Sequence, residues 1–252
     1  MSRFVALMYH NISDTGPASQ YTLSWSEFRR HLQWMMKRRI QAVGFAELEK
    51  HIQARTSPPE LTITFDDGHR SNLQAATELA ELGIRATVFV TPSFCIDRGD
   101  FLKPAELRAL HRIADVGTHG YTHRPLTALD PRVLDREIVE SKIWLEDIIG
   151  AEVRYMAAPG GYINDRVTEA CLSAGYHLIG NSVEWWNRVS GHKMLHTVNR
   201  VALRRGWPIE TFEAILRRDP VFYLKRRLRS AMLAMPKLVI LNAKYNRLRR
   251  TA

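Results

Sequence analysis

Two carboxylates stand side by side in TITFDDGHRS, Thr62 to Ser71, where an apolar run ends. Asp66 and Asp67 repel each other, and Gly68 follows at once, so a sharp backbone turn is expected there. One carboxylate of such a pair can hold a divalent cation while its neighbour takes a proton from water. The same pair can also be a plain loop that caps the helix after it. A second stretch, THGYTH from Thr118 to His123, carries histidines four residues apart. On a helical turn that spacing puts both rings on one side, and neutral imidazole is a common zinc ligand. The chain has ten histidines, so a fortuitous pair is the competing reading. Taken together, one carboxylate and two imidazoles make a three-ligand set with an open position. That is the pattern of a catalytic metal, because a structural zinc is closed by four ligands. The spare carboxylate, Asp66, then has work to do as a base.

The elements around these residues alternate. Phe4 to Tyr9 reads as a buried strand that ends at His10. Trp25 to Arg39 has helical periodicity, with Ser24 or Ser26 as N-cap. A helix over Phe45 to Ala54 follows, then Pro58-Pro59, then the strand Leu61 to Phe65 leading into Asp66. Helix Ser71 to Leu82 stops at Gly83. Strand Ala86 to Val90, helix Pro104 to Ile113 and strand Val116 to Thr118 lead to His119. A long helix, Pro131 to Ile149, closes at Gly150. Tyr155 to Ala158 is a strand ahead of Pro159-Gly160-Gly161, and Asp165 to Ala174 is a helix. His177 to Asn181 and Val198 to Leu203 are the last strands. This alternation predicts an α/β fold, a distorted (β/α) barrel with about seven parallel strands and a basic C-terminal helical tail. In such barrels chemistry collects at the C-terminal strand ends, where His10, Asp66, Asp67, His119 and Pro159 fall.

At these motifs the chain resembles the NodB-homology polysaccharide deacetylases, carbohydrate esterase family 4. Thr64-Phe65-Asp66-Asp67-Gly68 matches the family's TFDDG letter for letter. His119-Gly120-Tyr121-Thr122-His123 keeps both histidines of its H-(S/T)-x-x-H motif, with Gly in place of Ser or Thr. RATVFV resembles the family's ATFFV strand, and ESKIWLEDIIG followed by APGGY resembles its third-motif region; the likeness covers roughly residues 4–203. The resemblance implies Asp66 as general base and Asp67, His119 and His123 as ligands of one divalent metal ion. Zinc is the expected metal, with cobalt, nickel or iron compatible with the same donors. It further implies a Gly160 amide that stabilises the oxyanion, and substrate contacts from Pro159, Gly161 and Tyr162. The acid that protonates the departing amine is assigned to His10, because Met8-Tyr9-His10 resembles the N-terminal Met-Tyr-His stretch of members acting on poly-N-acetylglucosamine. His196, in Met194-Leu195-His196, is a weaker match to the family's late Leu-x-His motif. Two departures stand out. The arginine that orients the base in many members is replaced by Ala157, so another group is expected to do that. The fourth-motif tryptophan has only a loose counterpart in Glu184-Trp185-Trp186, where Trp186 is a substrate wall or a core ring.

Composition narrows the classes. With 252 residues, 45% of them hydrophobic, the chain suits one substantial domain, expected over 1–210 and followed by a basic amphipathic tail over 211–252. Cys95 and Cys171 are far apart and form no disulfide framework. From 217 to 252 there are 11 Lys or Arg and one acid, Asp219, while 25 basic and 25 acidic residues cancel over 1–216; the whole +10 excess lies in the tail. Cations mixed with Leu, Met, Val and Ile over 217–250 suit an anionic membrane surface, in two short helices broken at Pro236. No base-reading motif accompanies them, so nucleic acid is not the expected partner. The start, MSRFVALMYHNI, does not read as a signal peptide. These features together lead to the expectation of a cytoplasmic enzyme, peripheral at the inner membrane. The expected activity is metal-dependent hydrolysis of an N-acetyl group from an amino sugar in a polysaccharide or glycolipid precursor. A deformylase or O-acetyl esterase on a lipid-linked sugar is the near alternative, and a non-catalytic glycan-binding module on the same barrel the distant one.

Overall fold

The computed structural model describes residues 2–15, 19–189 and 194–228. Residues 229–252, with Pro236 and most of the expected basic tail, lie outside the described residues.

The chain enters through β1 (Ser2–Tyr9), α1 (Trp25–Lys37), β2 (Ala42–Val43), α2 (Phe45–Gln53), β3 (Leu61–Phe65) and α3 (Ser71–Glu81). It continues through β4 (Thr87–Val90), α4 (Pro92–Asp97), α5 (Pro104–Ile113), β5 (Asp115–Thr118), α6 (Pro131–Ile149), β6 (Tyr155–Ala157) and α7 (Asp165–Ser173). β7 (Leu178–Gly180), β8 (Asn187–Val189), β9 (Thr197–Val198), β10 (Val201–Ala202) and α8 (Ile209–Leu216) complete the named elements, and residues 220–228 are again helical. The sheet runs β10-β1-β3-β4-β5-β6-β7-β9 with every neighbour parallel. β9 and β10 flank Asn199 and Arg200, so the two ends of the path are successive in the chain. They act as halves of one broken strand, and the sheet curls into a nearly closed barrel of seven parallel staves.

The sequence reading took Val198 to Leu203 as one continuous strand. The structure breaks it because Arg200 turns its side chain into the barrel, fully buried. β8, antiparallel to β1, and the short helices α4 and α8 carry too little periodicity to be read from sequence. Elsewhere local signals sufficed. Ser24 caps α1 in a reciprocal box with Glu27, Asp130 caps α6, and Gly150 ends α6 in the left-handed conformation at φ 67°.

Strand alternation decides which residues face the barrel interior. Val5, Leu7 and Tyr9 of β1 pack outward against the helices, while Phe4 and Ala6 join an inner cluster with Phe89, Tyr155, Ala157 and Val198. Phe45, Leu48 and Ile52 of α2 plug the N-terminal end of the barrel. In β3, Leu61, Ile63 and Phe65 face out, so the next residue inward at the C-terminal rim is Asp66. Phe212, Ile215 and Tyr223 belong to the outer core, which binds α8 and the 220–228 helix to the barrel. No helix among the described residues is long and apolar enough to cross a membrane.

Candidate active site

Register brings the chemistry to one rim. Tyr9 pairs with Phe65, and Val90 with Thr118. The ladder runs one residue further at each place, through Asp66 N–H to the Tyr9 carbonyl at 2.9 Å and His119 N–H to the Val90 carbonyl at 2.8 Å. His10, Asp66 and His119 are therefore flush at the C-terminal ends of β1, β3 and β5. The turn expected at Gly68 begins one residue earlier: Asp67 has φ 76° and Gly68 φ 77°. Two successive left-handed residues swing the Asp67 carboxylate back over the rim beside Asp66. His123 also has a positive φ, 62°, so two of the three expected ligands sit in conformations that are costly for non-glycine residues.

Asp67 Oδ1 lies 3.2 Å from His123 Nε2 and 3.6 Å from His119 Nε2, and Asp66 Oδ2 lies 3.7 Å from His119 Nε2. His119 engages the Ala157 carbonyl through Nδ1 at 2.8 Å, which leaves Nε2 for the cluster. One donor atom each from Asp67, His119 and His123 lies within 4.8 Å of the others. Two donors about 2.1 Å from one zinc ion are at most about 4.2 Å apart, and both carboxylate–imidazole spacings fall inside that limit. Asp67 Oδ1 is buried, and no donor among the described residues is aligned on it. This oxygen-and-nitrogen set fits a divalent cation.

Burial by itself would raise the Asp66 carboxyl. Arg200, then His119 and His10, outweigh it and hold the group below its ordinary value. Asp67 is likewise held low, its burial outweighed by His123, His119 and His10. His119 is lowered by burial despite both aspartates, whereas at His123 the contact with Asp67 overcomes burial and raises it.

Arg200 is the residue that sequence reading missed. Its guanidinium binds Asp66 through Nη1–Oδ1 at 2.6 Å and Nη2–Oδ2 at 2.9 Å, and reaches Thr64 Oγ1 and the Asn181 carbonyl. It does so from the seam between β9 and β10, two strands along from Ala157 with β7 between them. The signal was an arginine inside the apolar run TVNRVAL, since a buried guanidinium requires a carboxylate. A second missed residue is Glu137 on α6. It accepts the Tyr121 N–H at 2.7 Å, the Thr122 N–H at 2.9 Å and the Thr122 hydroxyl, and so pins the loop joining His119 to His123. Gly120 stands where Ser or Thr was expected because its φ is 68° and a Cβ there would meet Pro159 Cγ at 3.0 Å.

The remaining expected residues divide. A cavity of about 420 Å³ is lined by His10, Asp66, Asp67, His119, His123 and Gly160 among others. His10 stacks on Tyr21 at 4.9 Å, and its Nδ1 is buried without a partner among the described residues. Pro159 and Gly161 shape the loop that carries Gly160, Gly161 lying so close to Ser182 that a Cβ would sit 1.9 Å from its Oγ. Tyr162 is exposed at 61%, outside the cavity lining. Trp186 also lies outside it, stacked on Trp185 and edge-on to Tyr223. His196 is at the start of β9, the opposite end of the barrel, with Nδ1 on the His177 carbonyl.

The sequence profile of the family described as polysaccharide deacetylase matches residues 53–179, half of the chain. YxkH of Bacillus subtilis (strain 168), to which polysaccharide deacetylase activity is provisionally assigned, is 27% identical over 177 residues, covering 68% of this chain and 62% of YxkH. The chitooligosaccharide deacetylase of Rhizobium leguminosarum bv. phaseoli is 29% identical over 132 residues, covering 51% of this chain and 56% of the enzyme. The chain thus spans about three fifths of the length of these relatives. The Streptococcus pyogenes deacetylase PplD in complex with acetate superposes with a TM-score of 0.75 at 20% identity, over 86% of this chain and 97% of that one. At that identity the likeness establishes a common barrel fold.

Proposed function

This chain belongs to the polysaccharide deacetylase family, and from that premise we propose that it hydrolyses the N-acetyl group of an amino sugar in a glycan or glycolipid precursor, with zinc as its metal. The observation that carries the reading is the rim itself. Asp66, held ionised by a buried arginine, stands beside an Asp67–His119–His123 donor set that fits a cation. When bound, a divalent cation supplies Lewis-acid polarisation of the acyl carbonyl and a lowered pKa for water. The Asp66 carboxylate takes the proton from the attacking water, and its bidentate pairing with Arg200 keeps it unprotonated and aimed. Gly160 lines the same cavity, and its N–H donates to the oxygen that gains charge. His10 delivers a proton to the departing amine from the wall formed with Tyr21.

The test is the metal content of the purified full chain by mass spectrometry, with Asp67→Asn and His119→Ala beside it, together with acetate release from N-acetylated oligosaccharides. Near-stoichiometric metal in the wild type, lost in both variants along with acetate release, supports the proposal. A chain that takes up no metal after incubation with zinc, yet binds chitooligosaccharide, would instead be a glycan-binding module. Formate or O-acetyl release in place of amide hydrolysis would move the substrate without moving the machinery.

For localisation we propose the anionic inner-membrane surface, through 217–250. In the described part of that segment Val221, Leu224 and Leu228 are exposed on one helical side, at 57%, 55% and 56%, beside Lys225 and Arg227. Co-sedimentation of the full chain with phosphatidylglycerol vesicles at low salt tests this, and an equal distribution with neutral vesicles would refute it.

A further inference from the structure

The active-site cavity does not end at the acids and imidazoles. Its wall continues to Tyr21, Glu184, Arg204 and Arg226. Arg226 comes from the 220–228 helix and Arg204 from the segment after β10, so both lie outside the span matched by the family profile. Glu184 accepts both Arg226 Nε and Nη2, and faces Arg204 Nη2 at 3.5 Å. One carboxylate therefore serves two guanidiniums, in a setting where the side chains are only 12% to 21% exposed. The cavity's other acids are already committed: Asp66 is spent on Arg200, and Asp67 belongs to the imidazole cluster. Among the described residues one positive charge is left without a counterpart at the cavity wall, and a largely buried unpaired charge is costly.

The two guanidiniums are also held in a way that spares their donors. Arg204 lies 5.8 Å and Arg226 5.5 Å from the centre of the Trp207 ring, and Arg204 lies 5.6 Å from that of Tyr21. Aromatic faces steady a guanidinium without consuming its N–H groups. Arg204 gives Nη1 to Gln20 at 3.1 Å, while its Nε is buried with no acceptor among the described residues. Arg226 is placed firmly because Tyr223, three residues before it, is fully buried, donates its O–H to the Ile215 carbonyl at 3.1 Å and packs on Trp185 and Trp186. A single arginine would suffice to tie the 220–228 helix to Glu184. The second makes a fork.

We propose that Arg204 and Arg226 form an anion subsite within the active-site cavity, so that the substrate is an N-acyl amino sugar carrying an oxyanion group, a phosphate or a carboxylate, beside the acylated position. This rests on the deacetylase reading and specifies its substrate class. A neutral glycan gives the fork nothing to neutralise, whereas an oxyanion accepts the unspent N–H donors and balances the charge.

The test compares acetate release by the zinc-incubated full chain from three matched sugars: neutral N-acetylglucosamine, N-acetylglucosamine 1-phosphate and N-acetylmuramic acid. The expected result is a kcat/KM for at least one anionic sugar on the order of tenfold or more above the neutral one, as charge-assisted hydrogen bonds dictate. Preference for the phosphate assigns a phosphoryl group, and preference for the muramic acid a carboxylate. The anionic-to-neutral ratio falls in Arg204→Gln and Arg226→Gln, is partly restored in Arg226→Lys, and declines with rising sodium chloride in the wild type. The wild-type ratio and its salt dependence decide the matter even where a variant does not fold. Equal turnover of all three sugars, insensitive to salt, overturns the subsite while leaving the deacetylase standing. No acetate from any of the three, while acetate is still released from neutral N-acetylated oligosaccharides, overturns the subsite alone; no acetate from the oligosaccharides either is the failure of the deacetylase reading.

Discussion

Arg200 is the place to press on the proposed base. Replacing it by Met keeps the length and removes the charge. In the wild type, burial pushes the Asp66 carboxyl up, and Arg200 is the largest of the groups that more than reverse this. The folded value therefore lies below the unfolded 3.8. The pair then contributes stability that is fully present above 3.8 and is lost as pH falls through the folded value. Without Arg200 the sign reverses. Asp66 remains fully buried with its two guanidinium bonds gone, its pKa rises above the unfolded value, and ionising it at neutral pH now works against folding. Breaking one side of a buried pair costs about 3–5 kcal/mol. His119 and a bound cation still favour the charged form and temper the rise. The assay is the pH dependence of kcat/KM for acetate release. Its acid limb moves upward in Arg200→Met, and activity recovers at alkaline pH. Gly180→Ala tests the same idea without substituting either partner, because a Cβ there would sit 2.6 Å from Arg200 Nε and displace the guanidinium. Its limb moves the same way by less. A folded Arg200→Met enzyme with an unshifted acid limb would refute the reasoning.

Three further outcomes are expected. Glu137→Gln replaces an acceptor-only carboxylate by an amide that turns a donor toward the Tyr121 and Thr122 N–H groups, so zinc affinity measured by chelator competition falls by about 10–100-fold; unchanged affinity would show that the loop holds itself. His10→Gln lowers kcat by about 10²–10⁴-fold while zinc content stays stoichiometric, whereas His196→Gln, at the far end of the barrel, leaves kcat near the wild-type value; the reverse ranking would return the acid role to His196. Zinc at a hundredfold excess over its dissociation constant stabilises the wild type by about 2.7 kcal/mol, read as a rise in Tm, and Asp67→Asn loses that rise; an equal shift in the variant would place the cation elsewhere.

What could be read from the sequence was local. DDG and the paired histidines declared themselves because their chemistry is carried by neighbours within a few residues. The strands around them were legible because β1, β3 and β4 are short apolar runs that end at the rim. What escaped was held by distance. Arg200 meets Asp66 across 134 residues of chain, and Arg226 meets Glu184 across 42. α8 and the 220–228 helix read only as tail, yet Phe212, Ile215 and Tyr223 are core residues there. No periodicity foretells which distant carboxylate an arginine will find.

The relocation of the base's partner follows from the barrel itself. Asp66 points inward from β3 at the rim, so a guanidinium can approach it from more than one wall. The wall at β6 is closed by Ala157, a fully buried inner-cluster residue whose carbonyl is already engaged with His119. The approach two strands along, at the seam of β9 and β10, is open because residue 180 on the intervening β7 is glycine. Its missing Cβ is the space in which Arg200 Nε and Cζ lie. Gly180 and Arg200 are thus one device. The small residue gives room, the broken strand turns the side chain inward, and Thr64 and the Asn181 carbonyl hold the guanidinium while both its terminal nitrogens stay on Asp66. On this geometry an arginine restored at Ala157 would not rescue Arg200→Met: its side chain would enter the packed interior around Phe89 and Tyr155, and overpacking there would show as a fall in Tm with no return of the acid limb.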